Sequence, residues 1–252
     1  MLGKSIETPS EVIGLGVAIV GRQASKKFVD AVEHKGYHLI ELPQNSWTYE
    51  PVNDHPDLFF FTLPDRKICV TTKQLLPFIK SHIEKHLSDW QFCLSENEVV
   101  GEYPANVGLN VMTIGQYVVA NMKYIDLCVL NILRELNYKT IHVNQGYVKC
   151  TTIKINDSSC LTSDASIESA LKQNGIGVLY VDPRSIKLSG FSHGFIGGAA
   201  VRLDNSILFN GDIKKHAQYE SIKSFIEERG LTCVAVGEDE LEDVGGIELL
   251  KF

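Results

Sequence analysis

The chain lacks the cysteine pairs that mark disulfide frameworks, zinc sites and redox motifs. Its six cysteines include no CxxC pair and have no regular spacing, and five of them sit inside apolar runs. No set of His, Cys and Asp residues has metal-ligand spacing, since His82 and His86 lie four residues apart without the glutamate of an HExxH motif. We therefore expect buried free thiols, a cytoplasmic location, and no metal or other cofactor.

Long apolar runs and flexible linkers are also missing. The apolar run at residues 12–20 is roughly ten residues long, too short to span a bilayer. Glu7 and Glu11 precede or border it and no small-residue cleavage site follows, so the pattern predicts a buried strand rather than a signal peptide. No stretch rich in Pro, Gly or Ser divides the chain, which predicts one domain over residues 1–252.

Positive charge is in short supply. The 24 Lys and Arg residues face 31 Asp and Glu residues, giving a formal net charge of −7 at pH 7. An acidic surface is not drawn to nucleic acid or to an anionic membrane, so we expect neither as a partner. A small polar molecule is the expected partner, and the sequence leaves the oligomeric state open.

What the sequence does contain is an internal repeat with the order strand, turn, strand, helix, strand. In the clearest copy, residues 148–155 and 160–162 are the first two strands. Asp164 offers an N-cap for a helix at 165–174, and 178–181 form the third strand. Two consecutive strands before each helix do not fit the βαβα alternation of a doubly wound sheet, which is the alternative.

The same order recurs along the chain at roughly 40 to 50 residues, the period of repeat architectures. The predicted repeats are 12–45 together with 245–252, 55–95, 105–144, 146–182 and 195–237. The predicted helices are 24–35, 75–87, 124–136, 165–174 and 215–229. The split first repeat requires strand 15–20 to pair with strand 247–250. The sequence thus predicts an α/β propeller of five ββαβ repeats around a pseudo-fivefold axis, closed by pairing of the N- and C-terminal strands.

Six segments between about residue 100 and the end of the chain resemble those of a known family. They are 103–111 (YPANVGLNV), 145–150 (QGYVKC), 161–164 (LTSD), 194–199 (GFIGGA), 209–212 (FNGD) and 243–247 (DVGGI). The chain resembles an uncharacterised bacterial family within the pentein fold, the scaffold of guanidine-modifying enzymes such as arginine deiminase and dimethylargininase. The resemblance implies a nucleophilic cysteine after a Gly-Gly turn near the C-terminus. Residues 245–252 contain none, so we expect no ordinary guanidine hydrolysis.

Aligning the repeats gives two sets of candidate ligand-binding residues. At the step from second strand to helix stand Lys73, Asn121, Asp164 and Asp212, for which helix capping is the alternative. Before the first strand stand residues 55–57 and then Asn106, Asn110, Gln145, Lys149, Cys150, Gly197, Gly198, Asp243, Gly245 and Gly246. Turn chemistry is the alternative for the Asn, Asp and Gly residues among them. Residues 194–198 allow either an anion-binding nest or a close-packed turn.

Cys150 stands out because it lies beside Lys149 and after a Gly-Tyr turn. A lowered pKa would make its thiol nucleophilic, with His193 as the base, or His216 or His142 in its place. Asp164 completes this candidate catalytic set. The alternative is a small buried residue that opens a strand.

Three functions follow from these observations. The first is the binding of a small polar ligand in a central mouth; the second is a cysteine-dependent C–N hydrolase or transferase that uses Cys150 with a histidine and one of Asp164, Asp212 or Asp243. The third is a non-catalytic interaction protein, which should expose a large apolar patch.

Overall fold

Strands and helices alternate along residues 14–252, the part of the chain that the computed structural model describes. The strands are β1 (Gly16–Gly21), β2 (Tyr37–Leu42), β3 (Phe60–Leu63), β4 (Ile68–Thr71), β5 (Gln91–Leu94), β6 (Met112–Ile114), β7 (Tyr117–Ala120), β8 (Lys139–His142), β9 (Thr152–Asn156), β10 (Ser159–Thr162), β11 (Gly177–Tyr180), β12 (Ile186–Lys187), β13 (Ala200–Leu203), β14 (Ser206–Asn210), β15 (Thr232–Val236), β16 (Leu241–Glu242) and β17 (Ile247–Lys251). The predictions made for residues 1–13 lie outside the described residues.

The α-helices are fewer than the strands. They are α1 (Lys26–His34), α2 (Pro56–Phe59), α3 (Leu76–Phe78), α4 (Leu127–Glu135), α5 (Val148–Thr151), α6 (Ala165–Gln173) and α7 (Tyr219–Glu227). A π-helical turn spans Ile79–Ile83, and 3-10 turns span Glu50–Val52, Pro64–Arg66, Lys73–Leu75, Glu84–His86, Pro183–Ser185 and Ile213–Lys215. Within residues 14–252 no helix combines the length and the apolar character needed to cross a membrane.

Five three-stranded sheets follow one rule. In each, an inner strand pairs antiparallel with a middle strand, which pairs parallel with an outer strand beyond a helical segment. From inner to outer, the sheets are β17-β1-β2, β3-β4-β5, β6-β7-β8, β9-β10-β11 and β13-β14-β15, and β12 and β16 form a separate parallel pair. The first sheet joins the two ends of the described chain, with Val17 opposite Leu250, which confirms the predicted pairing of the terminal strands.

Helix α6 illustrates how the sequence sets these elements. The Asp164 side chain accepts hydrogen bonds from the backbone N–H groups of Ser166 and Ile167, which have no partner within the first turn of a helix. Ile167 and Leu171, four residues apart on one face, are fully buried against the sheets. Gly175, with φ +78°, then ends the helical segment in a conformation that suits glycine.

Several predicted boundaries are wrong, each for a local reason. The helix predicted at 75–87 is a series of 3-10, α and π turns that begins at Lys73, with Pro77 inside the α turn Leu76–Phe78. The helices predicted to begin at 124 and 215 begin at Leu127 and Tyr219, because Asp126 caps the former and a 3-10 turn capped by Asp212 precedes the latter. The strand predicted at 148–155 begins at Thr152, since residues 148–151 form α5.

The core lies between the sheets and the helical segments. Its largest cluster includes the consecutive side chains Phe59, Phe60 and Phe61, all at most 1% exposed, at the start of β3. Cys150 belongs to the same cluster. Polar side chains that lie shortly before inner strands, among them His55, Asp57, Asn110 and Asp243, are buried as well.

Candidate functional site

Five segments, each preceding the inner strand of one sheet, are linked to one another by hydrogen bonds. They contain residues 55–59, 106–111, 147–151, 194–199 and 243–246. The bonds run in circular order from Asn110 Nδ2 to Asp57 O (3.1 Å), Lys149 N to Asn110 Oδ1 (2.6 Å), Gly198 N to Cys150 O (3.0 Å), Gly246 N to Gly198 O (3.0 Å) and Asp57 N to Gly245 O (3.3 Å). We call these five segments the ring segments.

A cavity of about 200 Å³, here called the front cavity, lies on one side of the ring segments. Its lining consists of Tyr49, Val52, His55, Leu58, Tyr147, Cys150, Leu188, Phe191, Ser192, His193, Phe195 and Asp243. Aromatic and aliphatic side chains thus surround a few buried polar groups. No lysine or arginine is among these described lining residues.

Asp243 is the acidic residue of the front cavity. Its carboxylate accepts hydrogen bonds from Phe195 N (2.9 Å) and Gly245 N (3.0 Å). A Cβ at Gly198 would overlap this carboxylate, so glycine is required for the close approach. Of the two alternatives for residues 194–198, the structure thus shows a close-packed turn whose Phe195 N–H binds the protein's own carboxylate. Burial raises the pKa of Asp243 to about 7.

Asp57 lies directly beside the Cys150 thiol. It is 3% exposed, and neither carboxylate oxygen has a hydrogen-bond partner among residues 14–252. Burial raises the pKa of Asp57 to about 8, and the nearby charge of Asp243 adds to the effect. A buried carboxyl without a hydrogen bond costs free energy, which a ligand of opposite charge would recover.

His55 completes the polar floor of the front cavity. Its Nδ1 lies 4.0 Å from Asp243 Oδ1, and its Nε2 has no partner within the described part of the chain. Burial lowers the pKa of His55 to about 3, so the imidazole is neutral and adds no positive charge. Gly245, with φ +77°, makes room for this ring, because a Cβ there would overlap His55.

Cys150 lies at the floor of the front cavity, but its environment differs from the predicted one. Asn110 Nδ2 lies 3.1 Å from its Sγ, and the thiol is 5% exposed. Burial, together with Asp57 and Asp243, raises the pKa of the thiol well above its usual range, so the expectation of a lowered pKa is wrong. The Lys149 ammonium that suggested a low pKa turns away from the thiol.

Lys149 instead faces a second cavity, of about 240 Å³, here called the back cavity. The inner strand of each of the five sheets contributes residues to the lining of the back cavity. Asp57 and Gly245 also belong to this lining. The Lys149 ammonium pairs with Glu248 and donates to Phe60 O at 2.8 Å, while Thr62 Oγ1 donates to Glu248 at 2.9 Å. The pair is largely buried, with side-chain exposures of 19% and 6%.

The remaining predicted site residues divide into two groups. His193 lines the front cavity. Tyr147 lines it too, and the Tyr147 hydroxyl donates a hydrogen bond to Asn106 at 3.0 Å. Gln145 and Asp164 contact each other at 3.0 Å but line neither cavity. Asp164 caps α6, and although partial burial opposes ionisation, hydrogen bonds from Ser166, Ile167 and Gln145 lower its pKa.

Other candidates lie apart from both cavities or contact only one. Asp212 caps the 3-10 turn Ile213–Lys215 and lines neither cavity. His216 and His142 hydrogen-bond to backbone groups elsewhere, His216 to Asp182 O and His142 to Met122 N. Gly197 contributes to the back cavity.

The sequence pointed to His55 and Asp57 only through their position in the repeat, at residues 55–57. The repeat alignment brings them level with Asn110 and Cys150, but no motif marks Asp57 or His55 as functional. Their signal is burial without hydrogen bonds, which a sequence does not display. Among residues 14–252 no three His, Cys, Asp or Glu side chains are grouped so as to hold a metal ion.

The fold is similar to that of the penteins. Structures similar to this chain include DDAH from Pseudomonas aeruginosa in complex with citrulline (9% identity, TM-score 0.54, 95% of this chain and 100% of that chain covered). C. jejuni agmatine deiminase is also similar (6% identity, TM-score 0.53, 95% of this chain and 94% of that chain covered). So is the amidinotransferase SxtG of Microseira wollei (9% identity, TM-score 0.54, 89% of each chain covered).

The particular family is identified by sequence. Residues 19–248 match a family of unknown function, DUF6873, and the chain belongs to this family. No curated protein matches the chain.

Proposed function

We propose that the chain is a single domain of five ββαβ units around a pseudo-fivefold axis, and that it binds a small organic cation in the front cavity. Three observations support the fivefold arrangement: the circular order of hydrogen bonds among the ring segments, the contribution of all five inner strands to the back cavity, and the β1–β17 pairing. The axis then passes through the ring segments, and the two cavities lie at its two ends.

The observation that carries the cation proposal is a pair of buried carboxyl groups below an aromatic-walled cavity without a basic side chain. Asp243 lies in the front cavity and Asp57 lies behind the Cys150 thiol at its floor. Tyr49, Tyr147 and Phe195 supply π faces that attract cations. The cavity volume of about 200 Å³ limits the ligand to a small molecule.

The chemistry of similar structures agrees with this ligand class. Agmatine deiminase and an amidinotransferase are named for compounds that carry a cationic nitrogen group. Residues 245–252, which contain the Gly-Gly turn and the segment after it, include no cysteine. Binding without ordinary guanidine hydrolysis is therefore the proposed activity.

The test is a thermal-shift panel of matched pairs at pH 8. Methylguanidinium, butylammonium and tetramethylammonium are compared with the neutral methylurea and tert-butanol and with the anion acetate. We expect one or more cations to raise the melting temperature, because a ligand that binds only the native state stabilises it, and we expect no shift with the neutral or anionic compounds.

The variant for this test is Asp57→Asn, which removes the ionisable group and keeps the size of the side chain. Asp212→Asn is the matched control, since it removes one carboxylate far from both cavities. We expect the cation-induced shift to disappear in Asp57→Asn and to persist in Asp212→Asn. Equal shifts from methylguanidinium and methylurea would contradict the proposal.

A second function, catalysis by Cys150, is favoured by one observation: its thiol is held beside two carboxyl groups and in the same cavity as His193. A bound cation would oppose the charges that raise the thiol pKa. Without ligand, we expect iodoacetamide at pH 7 to modify the half-buried Cys93 before Cys150, as measured by peptide mass spectrometry. Faster alkylation of Cys150 with the cation than without it would favour the enzyme; protection alone would favour the binding protein.

A further inference from the structure

The back cavity concentrates positive charge in an acidic protein. Its lining includes three basic residues, Lys149, Lys154 and Arg202, against two acidic ones, Glu248 and Asp57. The chain as a whole carries a formal net charge of −7. The front cavity, by contrast, contains no basic lysine or arginine among its described lining residues.

The basic groups of the back cavity differ in whether a carboxylate of the protein already pairs with them. Lys149 and Glu248 neutralise each other as a largely buried pair. Lys154 pairs at 2.7 Å with Asp157, whose side chain is 79% exposed, so this pair is easily exchanged for another anion. Arg202 forms no salt bridge with any residue of the 14–252 segment.

Asp57, the other acidic residue, does not cancel this excess. Burial holds its pKa near 8, so at neutral pH it is mostly uncharged. The lining therefore offers a guanidinium and an ammonium, and the ionised carboxylate near them is that of the exposed Asp157, which lies outside the lining. An Arg fork and a lysine are the usual partners of a carboxylate, sulfate or phosphate group.

We propose that the back cavity binds a small oxyanion between Arg202 and Lys154. The Arg202 guanidinium contacts two oxygens of the anion, and the Lys154 ammonium adds a point charge. A volume of about 240 Å³ accommodates an anion of this size together with water. Arg202 and Lys154 do not line the front cavity, so their contacts with the anion are separate from the proposed contacts with the cation.

The experiment uses sulfate as the probe, because its charge does not change between pH 5 and 9. Sulfate is titrated at low millimolar concentration by calorimetry at pH 6.5, with sodium chloride holding the ionic strength constant. The proteins are the wild type, Arg202→Gln, Lys154→Gln and the control Lys214→Gln, an exposed lysine outside both cavities that removes the same charge.

We expect the wild type and Lys214→Gln to bind one sulfate with equal affinity. Loss of a charge-assisted contact weakens binding by about 10- to 100-fold, so Arg202→Gln should lose most of the affinity and Lys154→Gln part of it. Unchanged affinity in Arg202→Gln, or an equal loss in Lys214→Gln, would overturn the proposal. The methylguanidinium-induced thermal shift of Arg202→Gln, expected to equal that of the wild type, keeps the two sites distinguishable.

Discussion

The front and back cavities meet at the same ring segments but differ in the chemistry of the side chains that line them. The front cavity has aromatic walls, the neutral imidazole of His55 and the carboxyl of Asp243. The back cavity has β-strand walls and the Lys149–Glu248 ion pair. Asp57, beside the thiol of one cavity and in the lining of the other, is the residue through which they influence each other.

The comparison shows that two neighbouring residues of the chain can place their side chains in cavities of different chemistry. Cys150 and Lys149 are neighbours in sequence, yet the thiol faces the front cavity and the ammonium faces the back cavity. Burial of the thiol, together with the nearby Asp57 and Asp243 carboxyl groups, raises its pKa rather than lowering it. The environment of a side chain in these segments therefore depends on which of the two cavities it faces.

The largest expected effect concerns the back cavity. Lys149→Met leaves the Glu248 carboxylate buried without its partner, which costs about 3–5 kcal/mol of unfolding free energy. Lys187→Met is the matched control, because its pair with Glu240 is more than half exposed on both sides (60% and 53%) and contributes about 0–1 kcal/mol. Urea denaturation measures both; similar losses in the two variants would show that burial of the Lys149 pair has no consequence.

An intermediate effect is expected at the front cavity. In Gly198→Ala the new methyl group overlaps the Asp243 carboxylate, and the forced shift should cost about 1–3 kcal/mol and abolish the cation-induced thermal shift. Gly177→Ala is the control, since its Cβ would make only ordinary contacts and its φ is not left-handed. Retention of cation binding in Gly198→Ala would separate Asp243 from the ligand site.

Counted per pH unit, the smallest expected effect is the pH dependence that Asp57 contributes. Its pKa is near 4 in the unfolded chain and about 8 in the folded protein, so its contribution to stability is present below pH 4 and is lost as the pH rises to 8. The wild type should therefore lose on the order of 1 kcal/mol per pH unit relative to Asp57→Asn between pH 5 and 8. Urea titrations at each pH test this, and parallel curves for the two proteins would contradict the raised pKa.

The repeat pattern was sufficient to predict most of the fold. Alternating apolar residues, turn residues and the N-cap Asp164 marked the strand-strand-helix-strand order, and the pairing of β1 with β17 followed from the incomplete first repeat. Helix α5 was missed because residues 148–151 have a β-rich composition. In the structure, Lys149 N donates to the Asn110 side chain and the Thr151 hydroxyl donates to Val148 O. Tertiary hydrogen bonds override local propensity there.

The site was harder to predict than the fold. The repeat alignment brought Asn110, Cys150 and Asp243 to comparable positions, and the structure groups them around the ring segments. Asp164 and Asp212 shared an aligned position as well, but their caps hold them away from the cavities. Whether an aligned residue faces a cavity depends on side-chain direction and burial, which neighbours in sequence do not share.

Proton release on cation binding tests the central claim most directly. If Asp57, which lies behind the Cys150 thiol, is mostly protonated in the empty protein and becomes ionised when a cation binds in the front cavity, binding at pH 6.5 must expel a proton. Calorimetric titration of methylguanidinium in buffers of different ionisation enthalpy measures that proton. We predict release approaching one proton per bound cation in the wild type and clearly less in Asp57→Asn; binding of the cation with no proton release in the wild type would contradict the account.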